Sequence, residues 1–168
     1  MPFSIKSKDI PSDFYLCAKE QEPLYTDAFE FIGAKSQSIE AVYVGIFGVL
    51  TKWIVALMQL RNAMVKPFGF PVEQQIQIAP SLEAFDVGSK AGFLTIEHID
   101  SSEVVAAAYD KHTDLWISVM EISKQVYRVS TLVNLKTSRA KSYMSLIKPL
   151  HKLVAKQSII SAAKHKRI

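Results

Sequence analysis

At 168 residues the chain fits one domain, and that length can bury a core without help from disulfides or metal. Hydrophobic residues make up 49% and charged residues 21%, an ordinary composition for a soluble protein; the single Cys17 excludes an intramolecular disulfide and a metal site built on paired cysteines. The net charge of +4 is unevenly spread: residues 136–168 hold nine Lys and Arg with no acid, and residues 1–135 sum to −5.

The opening MPFSIKSKDIPSDFYLC lacks the continuous apolar run of a secretory signal, so a cytoplasmic protein is expected. The chain is read as a single domain, 1–168, with its core in 24–160 and with 1–20 and 161–168 at the periphery. Asp27, Phe29 and Phe31 alternate with Ala28, Glu30 and Ile32, which predicts a first strand over 24–32. Ser36 or Ser38 then caps a helix running to about Gly48, and Thr51 caps a second, with Trp53, Leu57, Leu60 and Met64 at helical spacing.

These two helices share AVYVGIFGVLTKWIVALMQL at 41–60, twenty residues with Lys52 as the single charge, which is the length of a membrane span. Gly45, Gly48, the Thr51 cap and a lysine near the bilayer centre, at a cost of roughly 2.5–3.5 kcal/mol, favour two buried helices instead. Pro67, Gly69 and Pro71 stop the second helix.

Strands are predicted over 92–99, 103–109, 113–122 and 125–135, separated by two to four residues. Such short spacing allows antiparallel hairpins but not crossovers. In the last strand Tyr127, Val129, Thr131, Val133 and Leu135 share one face. A basic amphipathic helix follows, with Tyr143, Leu146, Ile147, Leu150, Leu153 and Val154 on one side and Lys141, Lys148, Lys152 and Lys156 on the other. Pro149 removes a hydrogen bond to Ser145 and predicts a kink. The expected class is α+β: a curved antiparallel sheet of five or six strands packed on a long C-terminal helix.

RNAMVKPFG at 61–69, YDKHTDLWISV at 109–119 and YMSLIKPLHKLV at 143–154 resemble a bacterial family of domains of unknown function, numbered 2867. The likeness covers residues 24–160 and departs from the family pattern at Leu150, where Phe is usual, and near Ala108, where Gly is frequent. It implies a helix-grip fold similar to polyketide cyclases and START domains, in which the sheet wraps the last helix and encloses an apolar cavity. It implies nothing catalytic.

Asp110, Lys111, His112 and Asp114 form the densest ionisable cluster. One reading makes His112 a general base oriented by Asp110 or Asp114, because an imidazole suits proton transfer at neutral pH; the other makes the cluster a solvated turn leading into a strand. As a metal site it is poor, with one His and two carboxylates. His151 sits at the boundary between the apolar and lysine faces and is either cavity-lining or locally bonded. Arg61 is either an anion contact at a cavity rim or a compensating charge near a helix C-terminus. Trp53, Trp116, Tyr109 and Tyr127 are either core or cavity wall, and Tyr143 joins the candidates for ligand contact. Glu97 and His98, adjacent in a strand, should face opposite ways. No phosphate loop, nucleophile elbow or cofactor motif is present.

The leading expectation is therefore a module that holds a small apolar or lipid-like ligand between sheet and last helix. Alternatives are a cyclase- or hydrolase-like enzyme using His112, and peripheral binding to anionic membrane through the basic C-terminus. Nucleic acid is not expected, since no aromatic residues interleave with the terminal lysines; a homodimer through an exposed sheet face is compatible.

Overall fold

The computed structural model describes residues 4–20, 24–69 and 79–168; Pro71, assigned above to the helix stop, lies outside them. Seven strands form one open antiparallel sheet: β1 (Ile5–Ser7), β2 (Leu24–Ile32), β3 (Lys90–Ala91), β4 (Leu94–Ile99), β5 (Glu103–Tyr109), β6 (Thr113–Ser123) and β7 (Val126–Leu135). Their spatial order is β1-β2-β7-β6-β5-β4-β3, so the meander β4–β7 is joined by β2, which pairs with β7 without a break from Leu24↔Asn134 to Ile32↔Val126. The strands beyond the expected count are β1 and β3, three and two residues long at the two edges, too short for alternation to register in the sequence.

Two of the hairpins are built in the same way. Asp100 Oδ1 accepts from the Ser102 and Glu103 N–H groups at 2.7 and 2.8 Å between β4 and β5. Asp110 Oδ1 accepts from the His112 and Thr113 N–H groups at 2.5 and 2.8 Å between β5 and β6. Each aspartate replaces a turn hydrogen bond with its own side chain and fixes the register of the strands beside it. The β6–β7 turn instead places Gln125 at φ 64°, a left-handed conformation that costs a residue with a Cβ about 1 kcal/mol.

Among the described residues the α-helices are α1 (Ile39–Phe47), α2 (Lys52–Val65) and α3 (Ser138–Lys164). Ser38 Oγ accepts from Ala41 N–H at 3.3 Å and starts α1; Thr51 holds the equivalent place before α2 without a side-chain cap bond. The 41–60 stretch is divided between α1 and α2, which bend by 75°, and among the described residues no single helix is long and apolar enough to cross a membrane.

Helices α1 and α3 pack on one face of the sheet, called here the helix face. Cross-strand register assigns Phe29 and Phe31 of β2, Ile117 and Val119 of β6, and Tyr127 and Val129 of β7 to it. The opposite face carries Val105, Ala107, Trp116, Met120 and Leu132, sealed by a 3₁₀ turn at Tyr15–Lys19 whose Leu16 is fully buried.

Two expectations need correcting. The buried side of α3 is rotated from the predicted stripe: Ala140, Tyr143, Met144, Ile147, Ala155, Ser158 and Ile159 are buried, while Leu146 and Leu153 are exposed. Helix hydrophobicity places a stripe within one residue step, about 100°, and here small residues take the positions of closest approach. Within the segments expected at the periphery two residues are buried, Leu16 and Ile168 at 0% and 2% exposed. Ile168 packs on α1 at Gly45, where a Cβ would come within 2.9 Å of its side chain. Glu97 and His98 do not face opposite ways: a bulge between Ile96 and His98 turns both toward Tyr15, which bonds Glu97 through its hydroxyl at 2.8 Å and stacks on His98 at 4.2 Å.

Candidate functional site

Between the helix face and the helices lies a cavity of about 310 Å³. Its walls come from every layer of the fold: Phe47 of α1, Leu57 and Met58 of α2, Phe93 before β4, Leu115 and Ile117 of β6, Val129 and Val133 of β7, and Ile147, Leu150 and Val154 of α3. The lining runs along α3 from Tyr143 to Ser158, fifteen steps at about 1.5 Å each.

Polar groups enter at two places. At one, Arg61 Nε and Nη2 donate to the Tyr143 hydroxyl at 3.0 and 2.7 Å, and Arg61 Nη1 donates to Asn62 Oδ1 at 2.9 Å. Arg61 thus reaches across from α2 to α3. Burial raises the Tyr143 hydroxyl above the ordinary tyrosine range, against the charge of Arg61.

At the other, His151 Nδ1 lies 3.4 Å from Asp27 Oδ2, which also accepts from the Tyr25 hydroxyl at 2.6 Å. Burial on its own would raise the Asp27 carboxyl. His151, with help from Tyr25 and Thr131, outweighs it and holds the group below the ordinary carboxylate range. His151 and Thr131 line the cavity, and Asp27 sits directly across from Thr131 in the β2–β7 register.

The sequence candidates divide accordingly. Arg61, Tyr143 and His151 reach the cavity. Trp116 does not: it lies on the opposite face, 4% exposed, because its register partner is Leu132 rather than Val133. Tyr127 is on the helix face but is fully buried, exchanging hydrogen bonds with the Gln37 backbone at 3.3 Å, and belongs to the core.

The members of the charged cluster make separate contacts among the described residues. Asp110 touches the cavity wall, but its oxygens accept from the backbone of its own turn and from the Thr113 hydroxyl at 3.0 Å. Asp114 pairs with Lys136 at 2.6 Å. His112 is buried with Nδ1 3.0 Å from Thr137 Oγ1, and Thr137 in turn caps α3 by accepting from Ala140 N–H at 3.2 Å. The imidazole fastens the β5–β6 hairpin to the start of α3. Among the described residues no group of three or more His, Cys, Asp or Glu is placed to hold a metal. The basic end is also tied in, since Arg167 donates to the Val49 carbonyl at 2.8 Å and to Ser161 Oγ at 3.0 Å.

Sequence reasoning missed Asp27 and Thr131. For Asp27 a signal existed: it interrupts Tyr25, Phe29 and Phe31 on the core-facing side of β2, where a carboxylate is found only when paired.

No curated protein and no solved structure matches the chain. One family model does, over residues 21–158, described as a protein of unknown function (DUF2867). That match takes in β2 and most of α3, and with them both polar ends of the cavity: the chain belongs to this family.

Proposed function

We propose that the protein is a small-molecule-binding module holding an apolar or amphipathic ligand between the sheet and α3, in the manner of a helix-grip domain. The observation that carries this reading is the cavity of about 310 Å³, inside the range of roughly 300–1,000 Å³ usual for ligand pockets. Its chemistry supports the same reading: apolar walls with a few convergent polar groups are what fix a ligand's orientation in such sites. A small ligand suits the volume, which lies at the lower end of that range.

The helix-grip likeness rests on the antiparallel sheet with a long helix across one face. Native mass spectrometry of protein purified gently from expressing cells tests the reading. The expected result is a retained adduct of a few hundred daltons that denaturation releases. An adduct-free protein that also fails to bind short-chain alcohols, acids or amines in titration would refute it.

A further inference from the structure

We infer that the ligand of this cavity is a small amphipathic monocarboxylate, its acid group held by Arg61 and its carbon chain laid along α3; the inference rests on the cavity-binding reading above.

Arg61 carries five N–H donors in a planar fork. Three are used: Nε–H and one Nη2–H on the Tyr143 hydroxyl, and one Nη1–H on Asn62 Oδ1. One N–H on each terminal nitrogen has no partner among the described residues, and guanidinium N–H groups of this kind are donors suited to the oxygens of a carboxylate. The groups that hold Arg61 among the described residues are both neutral, so its position is fixed without a counter-charge from them. Among the described residues no carboxylate forms an ion pair with it. Asp110, also on the cavity wall and close enough for its charge to act on the Tyr143 hydroxyl, spends its oxygens on its own turn.

The charge count selects the class of anion. Among the described residues that line the cavity Arg61 is the only Lys or Arg, and the other basic group, His151, already faces Asp27. A single cation matches a monoanion, and the carboxylate of Asp110 on the same wall disfavours a phosphate monoester, which carries nearly two charges at neutral pH. The remaining wall, including Leu57, Ile147, Leu150 and Val154, offers hydrocarbon contact along the helix.

Calorimetric titration with octanoate, octan-1-ol, octylamine and octyl phosphate at neutral pH tests this, using the wild type, Arg61→Gln and Arg61→Lys. Octanoate should bind the wild type at least tenfold more tightly than octanol and more tightly than octyl phosphate, with the amine weakest. Arg61→Gln should remove the preference for octanoate while leaving octanol within twofold, and Arg61→Lys should retain part of it. Equal binding of octanol and octanoate, or a preference that survives Arg61→Gln, overturns the carboxylate assignment and leaves the cavity reading standing. Tighter binding of octyl phosphate overturns the choice of anion. Failure of all four probes refutes the cavity reading itself. Should Arg61→Gln fold poorly by circular dichroism, the wild-type series decides the matter alone.

Discussion

Ser118 Oγ donates to Glu103 Oε1 at 2.7 Å across β5 and β6, on the face of the sheet turned away from the cavity. The same carboxylate accepts from Tyr15 N–H at 2.7 Å and Leu16 N–H at 3.4 Å, so one buried acid holds the N-terminal 3₁₀ turn against the sheet. Glu103→Ala should destabilise the protein by about 2–4 kcal/mol, since it leaves buried donors unsatisfied. Urea denaturation measures it.

The pH dependence of Glu103 has a definite sign. Burial raises its carboxyl above the ordinary range, against its hydrogen bonds with Ser118, Tyr15 and Leu16 and the charge of His98. A raised acid contributes stability that is fully present below its unfolded pKa of about 4.3 and is lost as pH rises through the folded value. The stability difference, wild type minus Glu103→Gln, should therefore be larger at pH 4 than at pH 8. A difference that grows with pH would contradict the assignment.

His112 is expected to matter for stability and not for binding. His112→Ala should cost about 1–2 kcal/mol by releasing the Thr137 contact. Thr137→Ala should cost about 1 kcal/mol as a lost helix cap. Because both changes break one linkage, the double variant should be less destabilised than the sum of the two, while octanoate affinity stays unchanged in each.

The rotated face of α3 gives a direct contrast. Ile147→Ala should cost about 2–5 kcal/mol, whereas Leu146→Lys and Leu153→Lys, at exposed positions, should stay within about 0.5 kcal/mol. Thermal denaturation of the three variants side by side decides it. Equal losses at all three positions would restore the stripe read from the sequence.

What could be read in the sequence follows from which interactions are local. Strands β2 and β4–β7 were readable because period-two alternation and Asp-capped turns act within a few residues, and Ser38 marked α1 by contact with Ala41. The burial of Leu16 and Ile168 was not readable, because each depends on a partner far along the chain: Glu103 holds the turn containing Leu16, and Gly45 makes room for Ile168. The site divided in the same way. Arg61, Tyr143 and His151 stood out by residue type, while Asp27 became part of the site only through the pairing of β2 with β7. Which of the two readings of Trp116, core or cavity wall, applies was not legible, because nothing in the sequence alone says which face of β6 meets the helices.

The most direct test of the account is where a bound ligand sits. Intermolecular nuclear Overhauser effects should be collected between ¹³C-labelled octanoate and the methyl groups of the protein. The account predicts contacts from the chain to Ile117, Val129, Val133, Ile147 and Leu150, which line the cavity, and none to the region around Trp116 and Leu132 on the opposite face. Contacts confined to Trp116, Leu132 and Met120, or no intermolecular contacts at saturating octanoate, would contradict it.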